Sequence, residues 1–252
     1  SDGACRIASV CSPADAAREV LDDAAREAPD DAAPYDGVVR DSDPLGETAA
    51  CEPPTTACPA GCVDLDVDPN NCGACGHFCP TGLCNGGKCR GAKAGHVVIA
   101  GHDYLGAAPA LAVARVLVNA VFLPGKNPVR VLSFESYSEA SSVASVKAIL
   151  DEGAGSSGRT YVKSTAASLA DFRDRLLIDS FDVALIFDQP NAPKGTLSTV
   201  GCDMRLSLDS FSRVGGVVVV LDAASGVAEM SDFLTSSTML GTSAHAVVTG
   251  KT

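Results

Sequence analysis

Ten of the chain's eleven cysteines fall before residue 90, and the last, Cys202, lies more than a hundred residues beyond them. That placement divides the 252 residues into two physical classes. Before residue 90 large apolar side chains are too scarce to build a core, so the segment has to be cross-linked. From residue 95 onward Val, Leu, Ile, Ala and Phe are frequent enough for folding by burial. Clustered thiols in such number imply an oxidising compartment. Because the chain opens without the basic start and apolar stretch of a leader, the expectation is a secreted or surface-displayed protein whose signal peptide is removed before Ser1. Lipid anchoring is compatible with this, although neither "DGAC" nor "ASVC" carries the apolar residue expected three places before a lipidated cysteine.

Three segments follow from composition. Residues 1–50 read as an N-terminal acidic tether, in which Cys5 and Cys11 are close enough to bridge and 13–28 has the start signals of a short helix, Ser12 followed by Pro13. Residues 13–50 hold eleven Asp or Glu against three Arg, so most of the formal net charge of −12 resides there. Residues 51–90 read as a disulfide-rich module and 95–252 as an α/β domain. With no Lys/Arg cluster to neutralise phosphates and a field that repels polyanions, nucleic-acid binding is excluded. The longest apolar runs are strand-sized, such as "VVVVL" at 217–221, so no transmembrane span is expected.

In the module, Cys51, Cys58, Cys62, Cys72, Cys75, Cys79, Cys84 and Cys89 suffice for four bridges, whose connectivity spacing does not reveal. Zinc held through the Cys72-x2-Cys75 pair is the rival reading, against which stands the single local histidine, His77. Asp64, Asp66 and Asp68 alternate like the opening of a calcium loop, but Pro69 and Cys75 occupy the positions where an EF-hand needs glycine and glutamate. That leaves a looser calcium site as the one cofactor candidate beside plain turn-capping. The run "CVDLDVDPNNCGACGHFC", with Asp64, Asp68, Pro69, Asn71, Cys72, Gly73, Cys75, Gly76 and Cys79 in register, resembles the Stig1-like cysteine modules of plant secreted and myxobacterial surface proteins, over about residues 58–89. The resemblance implies a secreted, cross-linked spacer or binding module without catalysis.

From residue 95 short apolar strands alternate with helical stretches: strands near 96–101, 129–134, 159–164, 182–187, 216–222 and 244–248, helices near 107–122, 138–152, 168–178, 203–213 and 227–236. Strands apolar on both faces and separated by helices predict a doubly wound, mostly parallel α/β sheet. Ligands of such sheets bind beyond the strands' carboxyl ends. The polar residues there are His102 and Asp103 after the first strand, Glu135 after the second, Asp188-Gln189 after the fourth and Asp222 after the fifth. His102, Asp103, Glu135, Asp188 and Asp222 are therefore the candidate ligand-binding residues, with the crevice expected where the Gly101-His102-Asp103 turn faces Asp222.

"HVVIAGHDY" and "GGVVVVLDAASG" resemble the class I glutamine-amidotransferase-like fold, in particular its ThuA-like branch, over most of 95–250. Asp222 stands where ThuA-like proteins tend to carry a histidine, and the amidotransferase cysteine elbow is missing; Cys202, outside any glycine-flanked elbow, reads as a reduced, partly buried thiol. No catalytic residue is assigned. The expectation is a binding or structural protein of the cell envelope or an extracellular assembly, meeting a protein or carbohydrate partner or further copies of itself. The alternatives are a ThuA-like hydrolase or sugar-processing enzyme using His102, Asp103, Glu135 and Asp222, and a self-assembling surface subunit.

Overall fold

The computed structural model describes residues 51–59, 61–223 and 230–241. The acidic tether with Cys5 and Cys11, and the strand expected at 244–248, lie outside the described residues. The module begins with a short antiparallel pair, β1 (Thr56–Cys58) and β2 (Gly61–Val63). Four disulfides lace it together: Cys51–Cys62, Cys58–Cys75, Cys72–Cys84 and Cys79–Cys89. Every cysteine from 51 to 89 is thus consumed by a bridge, which settles the choice between disulfides and zinc. Cys72, Cys79 and Cys84 are the module's own small core, cross-links standing where apolar side chains are missing.

The α/β part follows in strict alternation: β3 (His96–Ala100), α1 (Ala112–Val121), β4 (Val129–Phe134), α2 (Ala140–Ser157), β5 (Tyr161–Thr165), α3 (Leu169–Arg175), β6 (Val183–Ile186), α4 (Thr196–Arg213), β7 (Val217–Leu221) and α5 (Met230–Ser236). The five strands form one sheet in the order β3-β7-β6-β4-β5, every pair parallel. Helices α1 and α2 cover one face, packing Leu117, Ile149 and Leu150 on Val131, Leu185 and Val219. The other face carries α3, α4 and α5, with Phe172, Met204, Phe211 and Phe233 on Leu132, Ile186 and Val220. All residues of β6 and β7 are buried, which is why these strands are uninterrupted apolar runs in sequence.

Three helix bounds differ from the sequence reading by five residues or more. The first helix starts at Ala112 rather than near 107, since Pro109 disfavours helical backbone just before it. Helix α2 continues through Gly153 to Ser157, because Gly153 lies where α1 crosses: a Cβ there would come within 2.5 Å of Val118 Cγ2. Helix α4 begins at Thr196, seven residues before the expected 203, because Leu197, Val200 and Gly201 are needed against the sheet and α5. Packing here overrides the weak helix propensity of "TLSTVG".

The module docks on the floor of this domain, at the amino ends of the strands. Asn85, fully buried, donates from Nδ2 to Ser210 Oγ on α4 (3.2 Å) and accepts the Ile178 amide on Oδ1 (2.9 Å). Ser210 Oγ in turn donates to the Cys84 carbonyl. Arg90 and Lys88 both reach Asp179 in the loop before β6, and the Lys93 amide donates to the Arg213 carbonyl (3.0 Å).

Candidate functional site

At the opposite, carboxyl end the chain leaves β4 toward β5 and leaves β6 toward β7, in opposite directions, so the topological switch point lies between β4 and β6. A crevice at such a point is the usual ligand site of an open parallel sheet. Gln189, 1% exposed and just past β6, organises it. Its Oε1 accepts the Tyr137 amide (2.8 Å), and its Nε2 lies within donating distance of the carbonyls of Phe187 (2.7 Å) and Phe134 (3.3 Å) and of Ser138 Oγ (3.0 Å). Both loops leaving the switch point are therefore held by one amide. In sequence Gln189 is only one polar residue after an apolar strand; its role needs the pairing of β4 with β6.

Beside it opens a crevice of about 320 Å³ between the turn after β3, the start of α2 and the loop after β6. Asp103 and Leu105 form one wall, Glu139 and Ser142 the second, Asp188 and Asn191 the third. Asn191 Nδ2 donates to Glu139 Oε1 (3.0 Å), joining two walls. Asp188 is 4% exposed, and its Oδ1 lies 3.4 Å from the Ala223 amide at the end of β7. No cation, histidine or thiol is among the described lining residues.

Of the five residues expected at this end, Asp103 and Asp188 share the crevice. His102 stands next to it, and its ring is committed locally: the Tyr104 amide donates to Nδ1 (2.7 Å), so the neutral ring carries its proton on Nε2. Asp103 Oδ1 accepts the Leu105 amide (2.9 Å) and lies 3.6 Å from His102 Nδ1. These bonds shape a tight turn in which Tyr104 takes a left-handed conformation (φ 61°) with its ring wholly buried. Tyr104 Oη donates to the Val113 carbonyl at the start of α1 (3.3 Å), and burial pushes the phenol up to about 12.

Asp222 lies beside the first turn, its amide donating to the Ala100 carbonyl (2.8 Å). The expected closeness of His102 and Asp222 follows from the β3–β7 pairing, but β3 is an edge strand rather than a central one, so the crevice forms toward β6. Glu135 is absent from the lining: its Oε1 accepts from Ser133 Oγ (2.6 Å) and pairs with Lys163 Nζ (2.6 Å), a rung joining β4 to β5.

Two module expectations are placed as well. Asp64 and Asp68 each accept the amide two residues on, Asp66 and Asn70 (2.9 and 2.8 Å), and Asp68 also takes Asn71 Nδ2 (3.0 Å). These are side-chain turns, the role that aspartate plays in tight loops. Burial pushes the Asp64 carboxyl above its usual range. The described residues close enough to form a metal cluster are Cys72, Cys79 and Cys89, whose sulfurs are spent in bridges. Asp66 donates its amide to the first of these turns, and its carbonyl accepts the Gly87 amide (3.4 Å). Cys202, on α4, corrects the sequence reading: it is disulfide-bonded, not a reduced thiol. Since the eight module cysteines pair among themselves, its partner lies outside the described residues.

No family model, curated protein or solved structure matches this chain. The site is therefore read from its own chemistry. No helix among the described residues is long and apolar enough to cross a membrane.

Proposed function

We propose that this chain is a secreted or surface-displayed, non-catalytic binding protein whose carboxyl-end crevice receives a neutral, hydroxyl-rich ligand, carbohydrate in class, either soluble or carried by a partner at the cell envelope. The observation that carries the reading is the crevice itself: carboxylate, hydroxyl and amide groups from three elements converge at the switch point, with Leu105 as an apolar wall. Carboxylates and side-chain amides of this kind suit the paired donors and acceptors of sugar hydroxyls. The groups an enzyme of the ThuA-like type would call on are otherwise engaged. His102 Nδ1 already accepts a backbone amide and Glu135 is paired with Lys163 outside the crevice, so neither of these two groups is placed to move a proton across the cavity. The Stig1-like resemblance of 58–89 supports the extracellular setting, as do the four bridges.

Calorimetric titration against a panel of neutral oligosaccharides tests the proposal. Ser141, exposed at the rim, allows the cavity to be filled without touching the core: Ser141→Trp should weaken binding at least tenfold, about 1.4 kcal/mol, with thermal stability unchanged. Binding unaffected by that substitution would move the site elsewhere. Release of shortened products from the same panel would instead make the chain a sugar-processing enzyme, and concentration-dependent sedimentation would favour the self-assembling subunit.

A further inference from the structure

Among the described residues, the hydrogen bonds and ion pairs from the module to the α/β domain come from one hairpin and the residue after it, 84–90. The hairpin's tip, "CNGGKC", turns between Cys84 and Cys89, which form an isolated antiparallel bridge, through Gly86 and Gly87, both left-handed (φ 63° and 64°). The Asn85 amide donates to the Lys88 carbonyl (3.1 Å) and its carbonyl accepts Arg90 Nε (3.1 Å), while its side chain serves Ser210 and Ile178 in the domain. A wholly buried asparagine with its amide matched on both atoms makes withdrawal costly, because each partner left behind loses its bond inside the protein. Both ends of this hairpin are disulfide-bonded to the rest of the module, Cys84 to Cys72 and Cys89 to Cys79. The sulfurs of Cys72, Cys79 and Cys89 lie within 4.8 Å of one another, so the two bridges are a single knot beneath the tip. The other two bridges, Cys51–Cys62 and Cys58–Cys75, close loops around β1 and β2 and include neither hairpin cysteine.

We propose that the Cys84–Cys89 hairpin is a redox-sensitive latch on the floor of the α/β domain, closed while Cys72–Cys84 and Cys79–Cys89 are oxidised and opened by a dithiol reductant. Cys89 is exposed, whereas Cys72, Cys79 and Cys84 are buried, so an attacking thiolate reaches the knot at Cys89. It forms a mixed disulfide with the Cys89 sulfur and expels Cys79 as thiolate, which takes a proton. The reductant's second thiol then displaces Cys89, leaving the reductant as a cyclic disulfide and the bridge as two thiols, a transfer of two electrons and two protons. The adjacent Cys72–Cys84 bridge is reduced in the same way by a second dithiol. Without these closures the hairpin regains the chain entropy that the bridges had removed. Asn85 then leaves its pocket, uncovering the Ile178 amide and Ser210 Oγ, and Asp179 loses Arg90 and Lys88. The loop 176–182 and the last two turns of α4 loosen together, although neither contains a module cysteine.

Hydrogen exchange on the full chain, with and without a small dithiol and with alkylation to map which bridges opened, reads the latch directly. Reduction of the knot should speed exchange at least tenfold at amides 177–182 and 207–214, while β4 and α2 keep their protection. Cys79→Ser with Cys89→Ser should reproduce this without reductant, and Cys51→Ser with Cys62→Ser should not. Should the double variant fail to fold, Asn85→Ala in the oxidised chain opens the same contacts and should speed the same amides. Unchanged protection after verified reduction of the knot would overturn the proposal, and so would uniform loss across the whole sheet, which would make the bridges global staples.

Discussion

Asp182 shows how one side chain ties two strands. It is 3% exposed, at the entrance of β6, and accepts Lys126 Nζ (2.7 Å), Arg130 Nε (3.0 Å), Arg130 Nη2 (2.8 Å) and the Arg130 amide (2.9 Å). Burial by itself would raise this carboxyl, but the bonds from Arg130 and Lys126 outweigh it and hold it at about 2. A depressed acid contributes stability that is fully present above its unfolded value near 4 and is lost as pH falls toward 2. Asp182→Asn should therefore lower unfolding free energy by on the order of 2 kcal/mol at pH 7, with the gap to the unaltered chain closing between about pH 4 and pH 2 in urea titrations. Arg130→Ala should cost more than Lys126→Ala, roughly 3 against under 1 kcal/mol, since Lys126 is mostly exposed and Arg130 serves the buried carboxylate twice over. Cysteine accounting belongs to the same scale. With eight cysteines in four bridges and Cys202 in a fifth, the eleven cysteines leave one over. Non-reducing intact mass with alkylation should find one modified cysteine, which is not Cys202.

Helices α1 and α2 approach closely because Gly153 has no Cβ; one placed there would lie 2.5 and 2.7 Å from the two methyls of Val118. Valine's stiff χ1 leaves that contact no easy escape. Gly153→Ala should destabilise the protein by roughly 1–3 kcal/mol through overpacking, despite alanine's better helix propensity. Val118→Ala in the same chain should recover part of that loss, a coupling that a double-mutant cycle of denaturant melts would read. A merely local effect at Gly153 would show no such recovery. The helix bounds make the same point: Thr196–Leu197–Ser198 is a poor helical start by propensity, yet Leu197 is 1% exposed and packs on the sheet.

At the scale of the whole molecule, the crevice at the carboxyl ends of the strands and the docked module at the floor lie at opposite ends of the sheet. The domain's two cores contain no described residue before Val98. A chain beginning at Ala94 should therefore still melt cooperatively, but at a lower temperature than the full chain, because Asn85, Lys88 and Arg90 no longer meet Ser210, Ile178 and Asp179. Equal melting temperatures would mean that the buried asparagine network contributes nothing net to the domain.

The cysteine count, the apolar runs and their spacing were enough to establish a cross-linked module ahead of a parallel α/β sheet, since composition limits what can be buried and period decides what can be paired. Asp103 and Asp188 were legible as residues of the carboxyl end, where the crevice opens, because strand ends are visible as the points where apolar runs stop. Glu135 looked the same in sequence, and only the β4–β5 register, which sets Lys163 beside it, takes it out of the crevice. Gln189 was visible only as a polar residue past a strand end, and Asn85 and Cys202 carried no local signal at all. Apart from the Phe187 carbonyl, their side-chain partners are 51 to 55 residues away for the first and 93 to 125 for the second, and for the third the partner is outside the described residues. Strand order was equally hidden, for a helical crossover of similar length serves a neighbour on either side, and the choice is made by which faces the finished layers bury together.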